Sequence, residues 1–222
     1  MKKSISFAIT VHDEHIELDR LLSGLVNNIW DCDEIVVQGD FGNVTDLVVN
    51  VLNKYKSKFD MTYIEYPLNK DYSTFKNNLF KHCTKDYIFQ IDADEYFLDF
   101  MNYINNLHKI IEIYDIDVYA VPRKNVVIGM TQEHIKIYNW DVQEIFGESI
   151  INYPDYQTRF FKNDGILKFY GNVHEKIDGW SSMGHFPTYT DDDEVDYTYS
   201  LIHIKDIERQ VAMNKFYSTI AR

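Results

Sequence analysis

The apolar positions of this 222-residue chain change period several times, and each change predicts an element. Residues 4–11 form a β-branched and aromatic run, followed by a short polar turn and then by Leu18, Leu21, Leu22, Leu25 and Ile29 at helical spacing. A short continuous apolar run predicts a buried strand, and a repeat of three to four residues predicts one apolar helix face. The couple recurs. A strand at 34–37 ends in Gln38-Gly39-Asp40-Phe41-Gly42-Asn43 and precedes a helix with Thr45 as its cap and Val48, Leu52, Tyr55 and Phe59 as its stripe. A strand at 61–66 precedes a helix at 71–83 that buries Phe75, Leu79 and Cys83. A fourth strand, 87–91, stops on Asp92-Ala93-Asp94-Glu95.

Strands alternating with helices over the first 95 residues imply right-handed crossovers and a parallel sheet covered on both faces. Ligands of such sheets bind beyond the carboxyl ends of the strands. His12-Asp13-Glu14, Gly39-Asp40 and Asp92-Ala93-Asp94-Glu95 are therefore expected on one edge. Alternation along an extended backbone would point Asp92 and Asp94 to the same side. Three carboxylates this close repel one another unless a divalent cation or a row of donors offsets the charge. The plain alternative is an acidic turn after a core strand.

Beyond residue 95 the pattern changes. A helix at 99–113 turns Phe100, Ile104, Leu107 and Ile111 inward, and short strands are expected at 117–121, 125–128, 135–138, 156–161, 166–170 and 173–177, with Asn163-Asp164-Gly165 as a turn. This reads as a mixed or antiparallel region packed on the parallel half. The acidic run 191–194 reads as a solvated loop. A last strand at 201–204 is followed by a helix capped by Asp206 and running to about residue 220.

A 45% hydrophobic content over this length buries one sizeable core, so a single α/β domain over 1–222 is expected. With 22 basic and 35 acidic residues the net charge is −13, which disfavours nucleic acid and anionic membranes as partners. An anionic substrate would need local donors or a metal. Cys32 and Cys83 lack metal-site spacing and read as reduced thiols of a cytoplasmic protein. The apolar run after Met1-Lys2-Lys3 is too short for an export signal, and no stretch is long enough for a transmembrane segment.

Six blocks carry a resemblance: Thr10-Val11-His12-Asp13-Glu14, the Asp40 turn, Phe75-Lys76-Asn77, Asp92-Ala93-Asp94-Glu95, Gln157-Thr158-Arg159-Phe160-Phe161 and Gly171-Asn172-Val173-His174-Glu175. In this order they resemble family-two GT-A glycosyltransferases, and the last two look like the "R-L-F" and "V-H-E" blocks of a small bacterial branch acting on lipopolysaccharide cores and related glycans. The resemblance implies a GT-A-like fold with a nucleotide-binding half at 1–95, an acceptor half at 96–205 and a C-terminal helix at 206–222. It implies metal-dependent, inverting transfer of a sugar from a nucleotide-diphosphate donor, a UDP-sugar first, to a glycan or lipid-linked acceptor. Thr10, Val11, His12, Glu14, Asp40, Lys76, Asn77, Asp92 and Ala93 would line the nucleotide. Asp94 would bind Mn2+ or Mg2+, with His174 or His203 as a further ligand, and Glu175 would be the catalytic base.

Several readings stay open on the residues alone. Glu95 either supports Asp94 or caps the turn. Arg159 suits a phosphate or acidic sugar as well as an ordinary ion pair. In a regular strand at 173–177, His174 and Glu175 would face opposite sides, so one of them would enter the site. Trp140, Tyr153, Tyr156, Trp180 and Tyr189 suit either sugar stacking or core packing. His12 stands where the family usually has Asn, and the Asp40 turn is offset by one residue, so Asp46 reads equally as a helix-end charge. Two other classes share parts of the pattern: a sugar-phosphate nucleotidyltransferase, which would need a basic Gly-rich loop after the first strand, and a non-catalytic nucleotide-sugar or glycan-binding module.

Overall fold

A computed structural model of the chain describes residues 2–190, 192 and 194–220. The first part follows the apolar pattern: β1 (Ile5–Val11), α1 (His15–Val26), β2 (Glu34–Asp40), α2 (Asp46–Lys56), β3 (Thr62–Tyr66), α3 (Tyr72–Phe80) and β4 (Tyr87–Asp92). The hydroxyl of Thr45 caps α2 by accepting from the Val48 amide, and the Asp71 carboxylate caps α3 by accepting from the Thr74 amide. The chain continues through β5 (Glu95–Phe97), α4 (Phe100–Ile113), β6 (Val118–Val121), β7 (Arg123–Ile128), α5 (Gln132–Tyr138), β8 (Val142–Ile145) and β9 (Glu148–Ile151). It ends with β10 (Gln157–Lys162), β11 (Lys168–Tyr170), β12 (Lys176–Asp178), β13 (Met183–His185), β14 (Leu201–Asp206) and α6 (Ile207–Ile220).

Seven strands form the main sheet in the order β13-β6-β10-β4-β1-β2-β3. Its centre is parallel, as β1 pairs with both β2 and β4, and β2 with β3. Alternation sorts the strands onto two apolar faces. Phe7, Ile9, Ile35, Val37, Phe89 and Ile91 pack on one side with α1 and α4, whereas Ala8, Val36 and Ile88 pack on the other with Leu79, Phe161 and Phe169. A strand from beyond residue 95 joins this sheet, because β10 runs antiparallel beside β4 and extends it. The second half also builds a five-stranded sheet, β5-β14-β7-β9-β8, and the β11-β12 hairpin.

Two expected elements differ. The segment expected as a strand at 135–138 is the end of α5, because Thr131 and His134 form a capping box that starts a helix before it. The strand expected at 173–177 is confined to Lys176–Asp178. His174 has φ +54°, a left-handed conformation that ends extended structure there. Asp206 is the last residue of β14 and immediately precedes α6, the position expected of its cap. The β8-β9 hairpin has no counterpart in the expected elements; its turn is Phe146-Gly147, both at positive φ. The acidic run 191–194 lies partly outside the described residues.

Cys32 and Cys83 are free, and burial pushes the Cys83 thiol up to about 12. No helix among the described residues is long and apolar enough to cross a membrane.

Gly39 shows how tightly the carboxyl edge is built. A Cβ there would lie 2.5 Å from Val44 Cγ2 and 2.7 Å from the Tyr63 hydroxyl. Gly39→Val is expected to lower stability by about 1–3 kcal/mol through overpacking. Urea unfolding would check this, and an unchanged midpoint would show that the Val44 turn yields.

Candidate active site

The pairing of β1 with β4 sets Thr10 opposite Asp92. The Thr10 hydroxyl donates to Asp92 Oδ1 at 2.7 Å, and Gln90 Nε2 donates to the same oxygen at 2.9 Å. Alternation places Thr10, Gln90 and Asp92 on the α3 side of the sheet, where Lys76 and Tyr72 lie. Burial opposes ionisation of Asp92, but Arg159 and then Lys76 overcome it and hold the carboxyl well below the usual range. About a third of the side chain remains exposed, so Asp92 keeps an open face at the strand end.

Arg159 sits where the pairing of β10 with β6 shifts register between Thr158 and Phe160, a bulge that lets consecutive residues be aimed independently. Its Nη2 donates to Asp92 Oδ2 at 2.6 Å and to Glu95 Oε1 at 2.7 Å, and its Nη1 donates to Gln90 Oε1. Only 4% of the residue is exposed, so it is a committed internal counter-ion and not the free phosphate or acceptor clamp also considered from the sequence. Glu95, almost fully buried, settles its own role the same way. It receives Arg159, Arg123 Nη1 at 3.2 Å and, on Oε2, the Asp92 amide at 3.1 Å.

Strand β4 ends at Asp92, and Ala93-Asp94 form a turn. Alternation therefore stops, and Asp92 and Asp94 do not share partners as expected. Asp94 Oδ2 lies 3.4 Å from His203 Nε2 and 3.1 Å from Lys205 Nζ. Burial opposes its ionisation, but His203 and Lys205 hold it well below the usual carboxylate range. Burial also pushes the His203 imidazole down, partly offset by Asp94. His174 has no such contact; its exposed ring stands 6.0 Å from the ring of Tyr217. Of the two histidines considered as ligands, His203 is the one beside Asp94.

The other expected nucleotide contacts divide. The Glu14 carboxylate receives the His12 amide at 2.7 Å, the Asp13 amide at 3.1 Å and Arg209 Nη2 at 2.8 Å, so it shapes its own turn and anchors α6. Asp40 is buried, accepting from the Leu68 amide at 2.9 Å and Asn43 Nδ2 at 3.0 Å, with His12 Nδ1 3.3 Å away; half-exposed His12 is the open member of that pair. The Asn77 amide bonds both the carbonyl and the amide of Phe169, at 2.7 and 2.9 Å, and ties α3 to β11. These contacts give Glu14, Asp40 and Asn77 internal partners that fix the turns and α3. Ala93 is buried, its amide donating to the Thr10 carbonyl at 3.0 Å, and Val11 is core. Lys76 Nζ lies 3.0 Å from Glu175 Oε1, charge-paired without an aligned hydrogen bond. Both groups act electrostatically on the Asp92–Arg159 pair, which brings Glu175 to the same polar floor.

The model of "Glycosyl transferase family 2" matches residues 6–180. The chain belongs to glycosyl transferase family 2. Residues 1–349 of S. aureus TarS are similar in structure, with a TM-score of 0.59 at 15% identity, covering 92% of this chain and 60% of that one. The complex of the same protein with UDP-GlcNAc gives 0.61 at 15%, covering 92% and 59%. A mannosyltransferase, PcManGT from Pyrobaculum calidifontis, in complex with GDP-Man and Mn2+, gives 0.58 at 12%, covering 91% and 57%. At such identities the likeness is one of fold, and the family 2 chain spans about 60% of the length of these solved chains. A search of curated proteins found no match.

In this family 2 enzyme Asp94 and His203 could hold a divalent cation in place of Lys205, whose Nζ lies 3.1 Å from the same carboxylate oxygen. No cluster of three or more His, Cys, Asp or Glu suited to a metal occurs among the described residues. Phosphate oxygens and water would therefore complete the coordination, the usual way Mg2+ is held. Several residues of this region carry no motif. Lys205 is signalled only by its position two residues after His203 on one strand face, and Arg209 and Tyr217 come from α6. Burial raises Tyr72 to about 12 and Tyr217 further, and Asp92 adds to both, so both phenols keep their protons. A hollow of about 630 Å³ lined by Met130, Ile135, Val142, Glu144 and Ser149 shares no residue with this cluster. Of the aromatic candidates, Tyr153 is core and bonds Ser200, while Trp180 and Tyr189 are exposed.

Proposed function

We propose that this enzyme transfers a sugar from a nucleotide-diphosphate donor, a UDP-sugar first, to a hydroxyl of a glycan or lipid-linked acceptor, with inversion. The observation that carries the reading is the facing pair of Asp94 Oδ2 and His203 Nε2, 3.4 Å apart at the carboxyl edge of the sheet, in a chain of this family. The UDP-GlcNAc and the GDP-Man with Mn2+ in complex with the similar structures support a nucleotide sugar and a metal.

In this reading Asp92 and Thr10 orient the nucleoside end, while Asp94 and His203 hold Mn2+ or Mg2+. The bound cation would offset the charge that develops on the leaving diphosphate. Glu175 takes the proton of the acceptor hydroxyl as its oxygen bonds the anomeric carbon, and the carbon–diphosphate bond breaks with its electron pair leaving on the phosphate. Lys76 Nζ lies 3.0 Å from Glu175, and the neutral Tyr72 and Tyr217 phenols offer donors and ring faces to a sugar.

The test is a thermal-shift panel of UDP-GlcNAc, UDP-glucose, UDP-galactose and GDP-mannose with and without Mn2+. A bound donor at one hundred times its Kd stabilises the native state by about 2.7 kcal/mol. Asp94→Asn is expected to fold and to lose the metal-dependent part of the shift. If no nucleotide shifts the wild-type protein with Mn2+ present, a non-catalytic module becomes the better reading.

A further inference from the structure

Helix α6 is held in place by its two ends and hardly at all by an apolar face, for Ile220 is its one buried residue. Near its start Arg209 donates to two carboxylates of the first crossover. Its Nη2 reaches Glu14 Oε1 at 2.8 Å and its Nη1 reaches Glu17 Oε1 at 3.3 Å, with Asp13 Oδ1 3.7 Å from Nη2. About two turns further along, or about 12 Å, Tyr217 meets a different part of the fold. Its ring stands edge-on to that of Tyr72, the first residue of α3, with centroids 5.9 Å apart and planes at 74°, and its centroid is 6.0 Å from the ring of His174. These two neighbours belong together. The Tyr72 amide donates to the Asn172 carbonyl at 3.0 Å and ties the start of α3 to the loop before β12. Helix α6 thus joins the turn after β1 to the loop that carries Glu175.

Tyr217 borders the polar floor by the same route. Tyr72 and Lys76 are one helical turn apart on a shared face of α3, and Lys76 Nζ lies 3.0 Å from Glu175 Oε1. Burial is the first cause that keeps the Tyr217 phenol protonated, and Tyr72, Asp92 and Glu175 add to it, so the ring lies in the field of both carboxylates. In the transferase reading Asp92 orients the nucleoside end and Glu175 meets the acceptor hydroxyl, so the transferred sugar has to lie between them. A ring that borders both stands beside that sugar. Edge-on contact between two rings leaves a ring face uncovered, and such a face suits the C–H side of a pyranose while the phenol O–H donates to a sugar hydroxyl.

We propose that Tyr217 contacts the transferred sugar of the donor, and that Arg209 is a positioning residue that holds α6, and Tyr217 with it, against the site. The inference rests on the transferase reading and deepens it with a selectivity residue. Tyr217 lies outside residues 6–180, the part of the chain that the family model matches, so the selectivity it adds belongs to this chain.

The experiment uses the full chain with Mn2+ and compares, by calorimetry, UDP and GDP with UDP-GlcNAc, UDP-glucose, UDP-galactose and GDP-mannose. For the sugar nucleotide that the wild type binds, Tyr217→Ala is expected to weaken affinity about 3- to 10-fold, the worth of one aromatic contact, while affinity for the bare nucleotide stays within about twofold. Tyr217→Phe keeps the ring and is expected to lose less. Arg209→Gln leaves Glu14 its two backbone donors and is expected to give a smaller loss of the same kind. It should add nothing in the Tyr217→Ala background, because it acts through Tyr217. If Tyr217→Ala does not fold, Arg209→Gln decides the matter by the same comparison. Unchanged affinities, or sugar nucleotide and bare nucleotide weakened by the same factor, overturn the proposal, as does a wild type that binds a bare nucleotide and none of the four sugar nucleotides. A wild type that binds none of the six probes overturns the transferase reading on which it stands.

Discussion

Arg159→Met is expected to cost about 3–5 kcal/mol of folding stability, the range for removing one partner of a buried ion pair. For a chain of this size that corresponds to a fall in Tm on the order of 10 °C. The cause is specific. Arg159 is the shared counter-ion of Asp92 and Glu95, and its Nη1 donates to Gln90 Oε1. Without it, Glu95 keeps Arg123 Nη1 at 3.2 Å and the Asp92 amide at 3.1 Å, and Asp92 loses the leading cause of its lowered pKa. Arg159→Lys is expected to recover part of the loss, because one ammonium cannot span three acceptors held in a planar fork.

The pH dependence follows in sign. Asp92 and Asp94 both titrate lower in the folded protein than in the unfolded chain. Their contribution to stability is therefore full above about pH 4, near the ordinary aspartate value, and is lost as the pH falls toward the folded values. The wild type is expected to lose stability on acidification, and the gap between it and Arg159→Met should narrow as the pH falls from about 4 to 3. Chemical denaturation across that range checks both. A gap that widens in acid would show that Arg159 acts through packing and not through charge.

Glu175→Gln is expected to reduce turnover by about 10²- to 10⁴-fold, the usual contribution of a general base, while donor affinity stays within about twofold. The substitution keeps size and hydrogen-bonding reach but removes the charge beside Lys76. Product formation with the donor chosen by the thermal-shift panel, measured beside nucleotide binding, separates the two effects. Near-normal turnover would assign the proton transfer to another group, and a loss of donor binding would make Glu175 a nucleotide-site residue.

Much of the fold was legible because its cause is local. The apolar runs at β1, β2, β3 and β4 and the stripes of α1, α2 and α3 follow from periods of two and 3.6, and Thr45 and Asp71 cap within three residues of what they bind. The parallel order then brings Thr10, Gly39 and Asp92 to one edge. The second half was less legible. Its strands are three to six residues long, and short runs such as 135–138 fit helix and strand equally until Thr131 decides between them.

The sequence by itself determined the acidic turn at residues 92–95, its place at the end of a central parallel strand and the family to which the chain belongs. Only the tertiary structure decided what each carboxylate does. The partners of this turn lie far along the chain: Arg159 is 67 residues from Asp92 and 64 from Glu95. Local periodicity reaches only neighbouring residues, so it cannot tell that Asp92 and Glu95 share one arginine while Asp94 faces His203 and Lys205. That division rests on a strand that stops at Asp92, a bulge at Arg159, and a second sheet whose register places His203 beside Asn125. Each is a consequence of packing strands from the two halves of the chain against one another, and none is written in the four residues of the turn.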